Sequence, residues 1–187
     1  VFQRQSEVDE VIVTGKGAAG AWTMIRESRR RRPDVYLVGE VWDEADVVAP
    51  YLKGLTALFN FDLGYAITEA VRDERGDSLV LRLDATRDFY TTVDPDFSDA
   101  IFLTNHDQNR ILSALDGDEN RARMAAALLL TLPGSPFVYY GEELGMLGRK
   151  PDPHIREPFP WGGADAARVA TWIEPVYTTS GTVASAA

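Results

Sequence analysis

Three apolar runs of this chain each end on residues able to move a proton or hold a hydroxyl group. Residues 35–42, Val-Tyr-Leu-Val-Gly-Glu-Val-Trp, deliver Glu40 beside Gly39 and shortly before Trp42. Residues 100–107, Ala-Ile-Phe-Leu-Thr-Asn-His-Asp, deliver His106 and Asp107, and residues 136–142, Pro-Phe-Val-Tyr-Tyr-Gly-Glu, deliver Glu142. A carboxyl group near the end of a buried strand, against aromatic surface, can be desolvated enough to keep its proton near neutral pH, and Glu40 next to Trp42 suits that role. His106 and Asp107 pair a hydrogen-bond donor with a second carboxylate, a combination able to hold vicinal sugar hydroxyls. Cleaving a glycosidic bond needs one carboxylic acid to protonate the leaving oxygen and another carboxylate at the anomeric carbon. The expectation is that Glu40 and Asp107 face one sugar. The chain carries 29 acidic residues, most of them necessarily solvated surface, so the signal lies in placement at strand ends and not in residue type.

What must position these groups is a set of strands separated by helices. Continuous apolar runs of this length read as parallel strands buried on both faces. The spacing predicts a short strand over 11–14 and a helix over 18–32 with Trp22, Met24 and Ile25 inward, stopped by Pro33. After the Glu40 strand come a short helix over 43–51, a strand over 55–61, and a helix over 62–75 with Leu63, Ile67 and Val71 at four-residue spacing. Gly76-Asp77-Ser78 breaks the chain before a helix over 79–89 and a loop over 93–96. Asp118 reads as the N-cap of a further helix with Met124, Leu128 and Leu132 as its core face, and residues 145–163 read as a long loop. This alternation predicts an α/β fold, a partial (β/α)8 TIM barrel of about strands 5 to 8, whose chemistry sits at the C-terminal ends of the strands. No internal repeat or second domain is apparent. Residues 1–187 read as one partial catalytic domain, with 1–34 a lead-in and helix whose place in it stays open. The first residue is not Met, and the expectation is a piece of a longer protein that lacks the N-terminal half of the barrel.

Composition narrows the partners. With 187 residues, 45% hydrophobic and 26% charged, the chain can build one ordinary core. Its formal net charge of -10 opposes phosphate-rich partners, so neither nucleic acid nor an anionic membrane is expected, and a neutral or cationic ligand fits better. There are no cysteines to form disulfides or thiolate metal sites. No run reaches the 18 apolar residues of a membrane span, and the first residues do not resemble a signal peptide, which leaves localisation unassigned. Arg29, Arg30, Arg31 and Arg32 close the first long helix, where cations suit the helix dipole, and read as solvated surface in preference to an anion site.

One motif competes. Gly15, Gly17 and Gly20 satisfy G-x-G-x-x-G between a short strand and a helix, with Glu40 ending the next strand where a ribose ligand would stand. That context permits a dinucleotide-binding oxidoreductase. The preceding strand is short and flanked by acidic residues, and the reading leaves the His-Asp and aromatic strand ends without a purpose.

The ordered segments Gly39-Glu40-Val41-Trp42, Phe102-Leu103-Thr104-Asn105-His106-Asp107-Gln108-Asn109-Arg110 and Pro133 to Met146, the last centred on Tyr139-Tyr140-Gly141-Glu142-Glu143, resemble three motifs of the alpha-amylase family, glycoside hydrolase family 13. Ile155-Arg156-Glu157-Pro158-Phe159-Pro160-Trp161 resembles a loop of its alpha-amylase and oligosaccharide alpha-glucosidase branches. The resemblance implies that Glu40 is the general acid/base and Asp107 the transition-state stabiliser, with His106 in the same subsite, Trp42 lining the leaving-group side and Arg110 orienting Asp107. It implies an alpha-glucan or malto-oligosaccharide substrate, a retaining mechanism, no cofactor, and no metal ligand within this chain, since the calcium sites of such enzymes draw on earlier loops. Tyr139, Tyr140, Glu142 and Glu143 read as scaffold. The family nucleophile, an Asp in an Arg-x-Asp strand ahead of the Glu motif, has no counterpart on a strand before Val35. Arg82-Leu83-Asp84 imitates it but falls in a predicted helix after the Glu strand, so Asp84 is not read as the nucleophile. Without that group no glycosyl-enzyme intermediate forms, and the isolated chain is expected to be inactive. Three further readings remain: a transglycosylase or glucoside isomerase of the same family, a catalytically silent amylase-like binding module, and the oxidoreductase.

Overall fold

The computed structural model describes the backbone of residues 10–14, 18–162, 173, 176 and 177. Five strands and seven α-helices are found among them: β1 Glu10–Thr14, α1 Ala18–Arg31, β2 Tyr36–Glu40, α2 Ala45–Val48, β3 Ala57–Phe59, α3 Phe61–Asp73, α4 Asp77–Val93, β4 Ser98–Phe102, α5 Ile111–Ala114, α6 Glu119–Thr131, β5 Ser135–Phe137 and α7 Asp152–Ile155. The sheet runs in sequence order, β1-β2-β3-β4-β5, and the recorded pairs β1–β2, β2–β3 and β3–β4 are all parallel. Strands returning in the same direction through helices are the βα repeat that the alternation of the sequence predicts.

The residues cluster into two compact units. Of the described residues, one unit comprises those up to 61 with 81–101 and 133–135, and the other comprises 62–80, 102–132 and those from 136 onward. In the first, Leu37, Leu52 and Leu58 are almost wholly buried and share a core with Ile25, Val35, Val48, Leu55 and Tyr90, while Trp22 and Met24 pack at its edge. Complete burial of a leucine such as Leu37 contributes about 1.5–3 kcal/mol. Arg29 does not stand with its neighbours in solvent. It reaches over the core edge to donate to the Gly54 carbonyl (3.1 Å) and Thr56 Oγ1 (3.4 Å), whereas Arg30 and Arg31 pair with exposed Glu27. Only part of the basic cluster is therefore plain surface.

In the second unit Leu63, Ile67 and Val71 are buried along α3, as their spacing requires. Gly64 lets that helix approach the end of β4, where a Cβ would come within 2.6 Å of the Phe102 carbonyl. Asp118 caps α6 by accepting from the backbone N–H groups of Asn120 (2.9 Å) and Arg121 (3.1 Å). The buried face of α6 is Ala125 and Leu129, one position on from the Met124, Leu128, Leu132 stripe expected; Met124 is 57% exposed. A stretch in which almost every residue is alanine or leucine offers several apolar stripes, and neighbours choose among them.

The strands are shorter than the apolar runs that announce them. The run over 100–107 is strand only to Phe102, and that over 136–142 only to Phe137. Beyond Phe102, Asn105 turns its side chain to a local hydrogen bond with the Asp107 N–H, which competes with a ladder, and the Thr104 hydroxyl is given to Glu142. Beyond Phe137, the chain turns into a 3₁₀ segment, Glu142–Leu144, that begins after Gly141 at φ 84°. A side chain at Gly141 would collide with Met146, so glycine is required there both for conformation and for space.

Candidate active site

Glu40 is the last residue of β2, and three consecutive buried residues, Leu37, Val38 and Gly39, anchor the strand before it. Side chains alternate along a strand, so Leu37 and Gly39 face the helix-covered core while Val38 and Glu40 share the opposite face. Gly39 is a glycine because Leu55 Cδ1 and Leu58 Cδ2 press against the place where its Cβ would be. Glu40 itself is half-exposed. Trp42 turns its indole onto Phe61, with ring centroids 4.8 Å apart and planes within 7°, and remains 58% exposed. The strand end thus presents a carboxyl group followed by a flat apolar surface braced from behind. On the other side, β1 runs parallel to β2 with Thr14 in register with Glu40.

In the second unit Asp107 sits in a turn, five residues beyond the end of β4 and not on the strand. Asn105 makes that turn: its Oδ1 accepts the Asp107 N–H at 2.9 Å and its carbonyl accepts the Gln108 N–H at 3.2 Å. His106 Nε2 lies 3.5 Å from Asp107 Oδ2. The other oxygen, Oδ1, accepts from Arg156 Nη2 at 2.6 Å, and Arg156 Nε donates to the His106 carbonyl at 2.8 Å. A single guanidinium holds both the carboxylate and the backbone of the His-Asp pair.

Arg110 does not do this. It is completely buried, with its guanidinium 4.5 Å from the ring centroid of Tyr139 and 4.6 Å from that of Tyr140, and Nη1 donates to the Tyr140 carbonyl at 2.6 Å. Its Nε and Nη2 are buried without hydrogen-bond partners. The expectation that Arg110 orients Asp107 is therefore corrected: the structure makes it the centre of an aromatic sandwich and gives the contact with Asp107 to Arg156. A planar guanidinium can stack on ring faces, whereas an ammonium, though attracted to them, has no plane to stack.

Glu142, read as scaffold, is held by the segment just beyond β4: Thr104 Oγ1 donates to its Oε1 at 2.5 Å. Burial pushes its carboxyl group up to about 7, against the lowering effect of the Thr104 hydroxyl. In the first unit Asp99, on β4, is similarly pushed up to about 6 by burial, with Asn60 donating to one of its oxygens at 3.1 Å.

The Arg-x-Asp triplets fall nowhere a nucleophile could use. Arg32-Pro33-Asp34 spans the exposed turn between α1 and β2, Arg75-Gly76-Asp77 the turn between α3 and α4, and Asp84 lies exposed on α4. Of the competing glycine motif, Gly15 and Gly17 lie outside the described residues, and Gly20 sits within α1 with open space where a Cβ would be.

Residues 5–180 match the family model for the alpha amylase catalytic domain. The chain belongs to the alpha-amylase family. Alpha-amylase 3 of Dictyoglomus thermophilum is 45% identical over 151 residues, covering 80% of this chain and 30% of that protein. The 4-alpha-glucanotransferase of Thermotoga maritima is 32% identical over 145 residues, covering 75% and 32% respectively. Among solved structures, an alpha-amylase from H. orenii superposes with a TM-score of 0.73 at 42% identity, covering 84% of this chain and 33% of that one. The chain thus spans about a third of the length of these alpha-amylase relatives. Its parallel βα repeat is the corresponding stretch of the alpha-amylase barrel fold. For an alpha-amylase relative, the sequence signals missed were two: that the Arg of the Ile155-Arg156-Glu157-Pro158 loop is the partner of Asp107, and that Arg110, at the end of the His-Asp motif, is buried. Neither had a clear cue: Arg156 shares its predicted loop with Arg149 and Lys150, so the sequence does not single it out, and burial of Arg110 depends on two distant tyrosines.

Proposed function

We propose that this chain is the acid/base-bearing part of a retaining enzyme acting on alpha-glucosidic bonds of starch-like glucans or malto-oligosaccharides. The observation that carries the reading is the match of residues 5–180 to the alpha amylase catalytic domain, with Glu40 ending a buried parallel strand within it. Glu40 protonates the departing glycosidic oxygen and then takes the proton of the incoming water or sugar hydroxyl. Asp107 accepts hydrogen bonds from the hydroxyls of the sugar undergoing reaction, bonds that strengthen as positive charge grows on the ring, and His106 donates beside it. Trp42 offers its exposed indole face to the leaving-group sugar. The covalent step needs a second carboxylate, and among the described residues no Arg-x-Asp triplet ends a strand, so the isolated chain is expected to be without turnover.

Transfer to a second sugar in place of water is the alternative supported by a specific observation, the likeness to a 4-alpha-glucanotransferase. The greater identity to an alpha-amylase favours hydrolysis. The test joins the full chain behind the N-terminal part of the D. thermophilum alpha-amylase 3, in place of the segment it matches, and supplies maltopentaose. The expected result is release of shorter sugars of α configuration, lost in Glu40→Gln; a joined protein whose turnover survives Glu40→Gln contradicts the assignment, and longer products in place of shorter ones select transfer.

A further inference from the structure

Resting on that reading, we infer that Arg156 is the positioning residue of Asp107, holding the carboxylate in the orientation in which it receives sugar hydroxyls. The geometry divides the work of the two carboxylate oxygens. Oδ1 is occupied by Arg156 Nη2 at 2.6 Å, while Oδ2 faces His106 Nε2 at 3.5 Å and stays available to a ligand. Asp107 is half-exposed, and its turn is tied by Asn105 only at the backbone, so its side-chain rotamer is set from outside the turn.

Arg156 is suited to that task because it is itself fixed at three points. Besides Asp107 it donates through Nε to the His106 carbonyl at 2.8 Å and through Nη2 to Asp152 Oδ2 at 2.9 Å. Asp152 is shared with Lys150, which supplies a second positive charge, so Arg156 is not fully neutralised by Asp152 and keeps attraction for Asp107. Both cations hold the Asp152 carboxyl group below the usual carboxylate range. The loop carrying these residues is strapped to the chain that follows Asp107: Lys150 N–H donates to Asn109 Oδ1 at 2.7 Å, Gly148 N–H to Ser113 Oγ at 2.8 Å, and Arg110 N–H to the Gly148 carbonyl at 2.9 Å. Nothing in this arrangement gives Arg156 a proton to transfer. It acts through Asp107, and a lysine, a point charge with no fixed fork, cannot span the same three acceptors.

Displacement of a reacting group by about an ångström can cost about 10²-fold in rate. In the joined protein described above, Arg156→Gln is expected to lower kcat by about that factor while KM changes by less than about threefold, because what is lost is hydrogen bonding that strengthens in the transition state. Arg156→Lys restores part of the loss. In an Asp107→Asn background Arg156→Gln adds nothing, since the two act as one unit. Equal losses in both backgrounds, or a kcat unaltered by Arg156→Gln, overturn the inference. A spectroscopic measurement on the full chain by itself keeps it separable from the proposed function: rotation of the Arg156 guanidinium about its Nε–Cζ bond, read by nitrogen-15 NMR, is slow in the native chain and accelerates in Asp107→Asn. If rotation is equally fast in both, Asp107 and Arg156 are not coupled and the inference fails, whatever the joined protein does with maltopentaose. If rotation responds but the joined protein lacks turnover, the functional reading fails and the pairing stands.

Discussion

Glu40 and Asp107 are both carboxylates at the close of apolar runs, yet the chain fixes them by different means. Glu40 is placed by backbone. It ends a strand of which Leu37 and Val38 are fully buried, and its position follows from sheet register and from Gly39 lying flat under Leu55 and Leu58. Asp107 is placed by side chains: an asparagine turn sets its backbone and an arginine from 49 residues later sets its carboxylate. An acid/base group must swing slightly as it gives and takes a proton, which suits a backbone-anchored side chain with few partners. A carboxylate that only accepts hydrogen bonds gains from being immobilised, because preorganised charge costs no reorganisation during reaction.

This contrast can be broken from either side. The largest effect belongs to the carboxylates: in the joined protein, Glu40→Gln lowers kcat on maltopentaose by about 10²–10⁴-fold, the range of general acid/base contributions. The next tests the framework beneath. Gly39→Ala should destabilise the chain by about 1–3 kcal/mol in urea unfolding, since the new methyl group overpacks against Leu55 and Leu58, whereas Arg156→Gln, at a surface-accessible ion pair, should cost less than about 1 kcal/mol. If the two stability effects are reversed, the division into backbone and side-chain anchoring is wrong.

Stability also depends on pH in both units, because each buries a carboxyl group unrelated to either role. Glu142 is raised to about 7 in the folded chain, so the folded state binds its proton more tightly than the unfolded state. The stability this contributes is fully present below about pH 4.5 and is lost as pH rises through about 7. Glu142→Gln mimics the protonated form and should remove that loss, a gain of up to about 3 kcal/mol at pH 8 that vanishes near pH 4. Asp99, raised to about 6, adds a decline of the same sign at lower pH. Unfolding curves that gain no stability from Glu142→Gln at pH 8 contradict the burial argument. At the α6 cap, Asp118→Ala should cost about 1 kcal/mol in the same urea unfolding measurement.

Much of this was legible in the residues. Leu63, Ile67 and Val71 on α3, Asp118 at the cap of α6 and the rank of parallel strands follow from spacing, and Glu40 falls where its apolar run places it. Strand length was less legible: apolar runs extend past β4 and β5 because Leu103, Val138 and their neighbours are apolar without belonging to a ladder. Least legible were the partners of charged groups. Arg110 and Arg156 are equally basic in sequence, and only the fold decides that one is enclosed between tyrosines while the other grips Asp107.

If Glu40 serves the leaving group and Asp107 the sugar ring, only the Glu40 variant will depend on the nature of the leaving group. The joined protein with Glu40→Ala should be far more impaired on maltopentaose than on a maltosyl fluoride, whose departing fluoride needs little protonation, while Asp107→Asn should be impaired on both alike. Equal impairment of Glu40→Ala on the two substrates would contradict the account.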